Sequence, residues 1–205
     1  MKGNNREMHP PSTKNVSTAP SLPVVAINPQ EKGSLTAFVD ILCSFLDELS
    51  SEYTHLIVLC IGSDRSTGDC LGPLVGSMLN DLQHDSVTVM GNLSKPVHAL
   101  NIRDTKQLIE EKYQSPAILA VDACLGQKQM IGHLEIGKGS LLPGAAVKKR
   151  IPPIGNIFVT GIVNVGGFME LMVLQSTRLS VVIPLARFIA LGIFLAVSDW
   201  TNNLS

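Results

Sequence analysis

The sequence predicts a three-layer α/β/α domain on a mostly parallel sheet, and three observations carry that prediction. Runs rich in aliphatic and β-branched residues recur at residues 57–61, 117–121 and 157–163, as strands covered on both faces require. Stretches with helical spacing of apolar residues separate them. Polar or glycine-bearing turns follow the runs, beginning at Gly62, Asp122 and Gly166. Alternation of this kind produces parallel strands joined by right-handed crossovers, with helices on both faces.

Taken in order, residues 1–28 set Pro10, Pro11, Pro20 and Pro23 among small polar residues, and an extended amino-terminal arm is expected there. Residues 29–205 are expected to form one domain, since 205 residues of which 45% are hydrophobic suffice for a full core. Ser34 reads as the N-cap of a helix whose stripe is Leu35, Phe38, Val39, Leu42, Phe45, Leu46 and Leu49, with Asp47 and Glu48 in water. The strand at 57–61 ends at Gly62. A polar loop leads to Asp69, where a second helix should open and run to residue 82, with Pro73 tolerated in its first turn. A short strand at 87–90, a helix at 105–113 and the strand at 117–121 come next. Residues 130–136 alternate like an edge strand, and 141–154 form a loop with three prolines. After the strand at 157–163, Gly166-Gly167 opens a helix to about residue 177, and Ser180 caps the last one. Residues 179–200 are apolar enough to suggest a membrane span, but Pro184 and Arg187 point to a helix packed inside the domain.

Composition excludes several functions. Lysine plus arginine number 16 against 17 acidic residues, and aromatic residues are 4%, so neither the basic surplus nor the stacking platform of a nucleic-acid binder is present. Cys43, Cys60, Cys70 and Cys124 lack CxxC spacing, which suits reduced thiols in the cytoplasm better than disulfides or zinc. The opening residues have no apolar centre, so no signal peptide is expected. The loop 62–72 lacks the lysine-serine/threonine ending of a P-loop and the glycine spacing of a dinucleotide site, so no cofactor is expected.

Asp69 and Asp122 each follow a buried strand, at the carboxyl-end rim where open parallel sheets build their sites. Two carboxylates within hydrogen-bond or one-water reach cannot both ionise easily, so the pair would offer an acid and a base for activating water against a carbonyl. The condition is that their strands are neighbours. The competing reading makes Asp69 a helix cap and Asp122 a turn former. Ser63, Asp64 and Thr67 are candidate substrate contacts on the loop, and backbone N–H groups at Gly166 and Gly167 are candidate oxyanion donors. Only His133 follows Asp122, in an expected edge strand, and two carboxylates without an imidazole make a poor transition-metal site, so no metal is expected.

At these residues the chain resembles a known family. GSDRSTGDCLGP at 62–73 and AVDAC at 120–124 are similar to the two aspartate motifs of the germination proteases of spore-forming bacteria. LLPGAAVKKR at 141–150 and TGIVNVGG at 160–167 resemble later motifs of that family. The resemblance implies a phosphorylase/hydrolase-like fold shared with hydrogenase maturation peptidases, and an aspartate-dependent peptidase in which Asp69 and Asp122 hold the two acidic positions. It also implies small spore proteins or peptides as partners and a forespore or spore-interior location, while Pro184 and Arg187 argue on their own against a role for membrane. A homo-oligomer is compatible with the sequence. The germination proteases are longer and carry a propeptide, so the rival expectation is a noncatalytic relative acting as a binding or regulatory module in sporulation.

Overall fold

A computed structural model describes residues 24–82, 84–143 and 152–203. The three-layer α/β arrangement is present. Its six strands are β1 (Val25–Ile27), β2 (Leu56–Cys60), β3 (Val87–Met90), β4 (Ala117–Gly126), β5 (Leu134–Lys138) and β6 (Ile157–Val165). They lie in the order β1-β5-β6-β4-β2-β3. β2 runs parallel to both β3 and β4, and β4 parallel to β6, whereas β5 is antiparallel to β6 and to β1.

The helices are α1 (Ser34–Ser50), α2 (Leu71–Met78), α3 (Ile102–Lys112), α4 (Glu170–Gln175) and α5 (Leu179–Asn203), with a 3₁₀ turn at Lys128–Met130. Strand residues alternate between two cores. Leu56, Val58, Cys60, Leu119 and Val121 pack with α1, α2 and α5, through Phe38, Leu42, Val75, Ile189 and Ile193 among others. Ile57, Leu59 and Ile61 face Ile102 and Ile109 of α3 on the opposite side. Burying an aliphatic side chain of this kind stabilises by about 1.5–3 kcal/mol, so these stripes fix which helix covers which face. α5 passes length and composition criteria for a membrane span, but half of its apolar window is buried inside the domain. Its Gly192 lies flat on Phe38, where an added Cβ would stand 2.2 Å from the ring.

Several expectations are corrected. Ser34 is not a cap: it is the first helical residue, after Gly33 at φ 82°, and its hydroxyl donates to Pro29 O at 3.3 Å. α2 starts at Leu71, so Asp69 lies on the loop, and it ends four residues before the expected position. β5 starts at Leu134 and is internal, because Val25–Ile27, expected in the arm, pairs along its outer side. α4 is short because residues 166–169 are spent in a turn, with Met169 at φ 54°. Ser180 lies inside the first turn of α5. Most of the LLPGAAVKKR segment, and residues 1–23 of the expected arm, lie outside the described residues.

Candidate functional site

The loop after β2 is closed by backbone contacts that its glycines permit. Gly62 has φ 142°, and an added Cβ would stand 2.0 Å from Asp69 O. A Cβ at Gly72 would meet Ile61 O at the same 2.0 Å. The chain can therefore fold back onto the strand end only with glycine at both places. Ser63 N–H donates to Asp69 O at 3.1 Å, Cys70 N–H to Ser66 O at 2.9 Å, and Gly68 N–H to Leu174 O at 2.8 Å, which ties the loop to α4.

This fold-back leaves the Asp69 side chain half-buried, lining a pocket of about 240 Å³ with Ser63, Asp64, Arg65, Pro96, His98 and Leu100. Burial pushes the Asp69 carboxyl above its ordinary range, while the Ser63 amide and the nearby His98 pull it back down. His98 is held from two sides: its N–H donates to Asn101 Oδ1 at 2.8 Å, and its Nδ1 accepts the Leu100 N–H at 3.3 Å. Because Nδ1 is the accepting atom when the ring is neutral, Nε2 carries an N–H in both the neutral ring and the imidazolium, whose charge is what lowers Asp69.

Asp122 is placed differently. β2 and β4 are neighbours, as the paired-acid reading requires, and their last register pair is Cys60 with Val121. Asp122 therefore sits one step beyond, level with Ile61, on strands about 4.8 Å apart. β4 does not end before it. Asp122 pairs in register with Thr160 of β6, is only 6% exposed, and accepts the Ala123 N–H at 2.8 Å through Oδ1. It continues the Ile118 and Ala120 side of the strand, towards the α3 face. The residues lining the Asp69 pocket do not include it.

Comparison with known proteins places the chain. The family model described as "Protein of unknown function (DUF1256)" matches residues 26–192. The chain belongs to the DUF1256 family. It is 49% identical over 147 residues to "Uncharacterized protein YyaC" of Bacillus subtilis (strain 168), covering 72% of this chain and 71% of that protein. Among solved structures, the [NiFe] hydrogenase maturation protease HycI from Thermococcus kodakarensis KOD1 is similar at a TM-score of 0.48 and 18% identity, covering 73% of this chain and 97% of that one.

In this DUF1256 chain the other candidate contacts divide. Ser63 and Asp64 line the Asp69 pocket, and Arg65, beside them, is exposed and makes no ion pair with Asp64 among the described residues. Thr67 does not line it, and its carbonyl accepts the Cys70 thiol at 2.9 Å. Gly166 and Gly167 do not line it and have their amides engaged, the first by Gly126 O at 2.9 Å and the second by Glu170 Oε1 at 3.3 Å. Neither is free to act as an oxyanion donor in this arrangement. Cysteine chemistry finds no support either. Burial raises the Cys60 and Cys70 thiols, the latter further beside Asp69, and Cys124 is pushed up to about 11, so none is held as a thiolate. Among the described residues no cluster of three or more His, Cys, Asp or Glu could hold a metal ion.

His98 is the site residue that sequence reasoning missed. Its segment joins the sheet through a single bridge, Val97 to Ile61, and one residue leaves no periodicity to read. The available signal was a histidine shortly after the strand at 87–90, on the same carboxyl-end rim as Asp69.

Proposed function

We propose that this DUF1256 protein is a hydrolase of peptide or amide bonds, with its acid–base centre at Asp69. The observation that carries the reading is the half-buried Asp69 carboxyl, raised by burial and lining an open pocket together with His98. A carboxylate whose proton affinity lies closer to neutrality is a better general base than an ordinary aspartate. In this mechanism Asp69 takes a proton from water as the oxygen attacks the carbonyl carbon, then returns it to the leaving nitrogen as the C–N bond breaks. His98, with N–H at Nε2, steadies the developing charge beside it. Asp122, on the neighbouring strand, holds the second of the two aspartate motifs that resemble those of the germination proteases, but it carries no proton in this mechanism, because its Oδ1 accepts the Ala123 N–H within the β4–β6 ladder. Extended small spore proteins in the forespore or spore interior are the substrates and setting that resemblance implies.

A second reading is favoured by one observation, the engagement of Asp122: a buried carboxylate bonded to the next amide serves structure as readily as catalysis. Under it the protein is a noncatalytic binding or regulatory module. The experiment that separates the two is incubation of purified protein with an extended small spore protein, comparing wild type with Asp69→Asn. Cleavage that disappears in the folded variant supports the hydrolase; cleavage absent from both, or unchanged, rejects it.

A further inference from the structure

β3 is the outermost strand at its end of the sheet. Its register sets Val87 opposite Leu56 and Val89 opposite Val58, and Leu56 N–H donates to Ser86 O at 2.8 Å. In a parallel ladder, alternate residues turn both backbone groups to the same neighbour, so Ser86, Thr88 and Met90 serve β2 while Val87 and Val89 face outward. The outward Val87 N–H is taken by His84 O at 3.0 Å. The N–H and C=O of Val89 remain directed past the sheet. The strand, Val-Thr-Val-Met, carries neither the lysine nor the proline that commonly blunts such edges. At the opposite end of the sheet the chain finishes its own edge, where three-residue β1 pairs antiparallel to β5.

Two grooves flank the open edge. On the α2 side a cavity of about 560 Å³ is lined by Gly76, Leu79, Asn80, Val87 and Val89. On the α3 side one of about 530 Å³ is lined by Met90, Lys95, Pro96, His98 and Thr105. Pro96 and His98 also line the Asp69 pocket, so the second groove adjoins the proposed reaction centre across these two residues. Side chains of a strand point alternately to the two faces of its sheet, so a strand laid on Val89 would have a groove for each set. A small molecule would use one groove and leave the ladder groups unpaired.

Resting on the hydrolase reading above, we infer that the β3 edge receives an extended segment of the polypeptide substrate as an added strand and leads it past His98 to Asp69. The probe is fluorescein-labelled casein, an unfolded polypeptide. Its binding is followed by anisotropy on the full chain carrying Asp69→Asn, and its cleavage on the full chain with Asp69 intact. Val89→Pro removes the outward N–H without touching a β2–β3 bond. Asn80→Trp fills the α2-side groove from an exposed position. Each change is expected to weaken casein binding at least ~10-fold and to raise KM alike with kcat unchanged, because neither touches the reaction centre. If Val89→Pro fails to give a native thermal transition, Asn80→Trp decides. Binding that both variants weaken, without any cleavage by wild type, keeps the edge inference and rejects the hydrolase. Cleavage whose KM neither variant moves keeps the hydrolase and overturns the edge inference. Absence of casein binding overturns it too, as does a dimer, seen by light scattering, that Val89→Pro dissociates, which would assign the edge to a second copy of the chain.

Discussion

Asp69 and Asp122 come from neighbouring parallel strands, and the two carboxylates nevertheless live in different surroundings. Asp69 stands on an irregular loop after β2, where the backbone leaves its side chain in a pocket beside His98. Asp122 stands inside the β4–β6 ladder, 6% exposed and bonded to the following amide. A loop can aim a side chain at a cavity because its backbone need not obey the pleat. A ladder residue must point where alternation sends it. Similar motif positions in sequence therefore yield one group that can meet a substrate and one that is engaged in the sheet.

The sharpest way to break this comparison is to neutralise each acid in turn. Asp69→Asn is expected to lower kcat by about 10²–10⁴, the usual range for a lost general base, with the melting transition retained. Asp122→Asn is expected to cost less in kcat and to show instead as lost stability, about 1–3 kcal/mol by denaturant titration, for a disturbed buried hydrogen bond. Equal losses of kcat in both variants would make Asp122 a reacting group and the contrast false.

The loop's role is tested next. Gly62→Ala sets a Cβ 2.0 Å from Asp69 O at φ 142°, and is expected to destabilise by about 3 kcal/mol and to displace Asp69. Gly167→Ala, at φ 134° with nothing within 4 Å, is expected to cost about 1–2 kcal/mol and to leave kcat alone. Equal effects would mean that the close approach at Gly62 does not hold the site.

The smallest effects are those of pH. Because burial raises Asp69 above its ordinary 3.8, the folded state binds this proton more tightly than the unfolded chain. Its stabilising contribution is present in full below 3.8 and is lost as pH rises through the folded value. Asp69→Asn should thus flatten the stability profile over that window, as measured by denaturant titration at a series of pH values. Activity should rise with pH across the same window as the base is freed. His98 lowers the Asp69 value, so His98→Gln should move the acid limb of the rate profile to higher pH. A limb that stays in place would remove His98 from the site.

Much of the fold is legible in the residues. The runs around Val58, Leu119 and Val159 carry their own signal, since a strand buried on both faces is apolar at nearly every position, Thr160 being the exception within the third. The stripe from Phe38 to Leu46 likewise identifies α1. β1 is not legible, because three residues beside a proline-rich stretch acquire strand structure only from β5. The extension of β4 through Asp122 to Gly126 depends on β6 as a partner, and Ala123 and Cys124 do not announce a strand. Within the site, Gly62, Ser63, Asp64 and Asp69 could be read from one loop, whereas His98 could not.

Sequence alone determined which segments bury their residues, that the protein is α/β, and that an acid lies on the carboxyl side of each of the apolar runs 57–61 and 117–121, because burial and chain direction are written in local patterns. Tertiary structure alone decided that β2 and β4 are neighbours, that Asp122 remains within a ladder, and that His98 lines the same pocket as Asp69. Those are relations between segments far apart in the chain, set by which strands exchange hydrogen bonds, and no local stretch contains both partners.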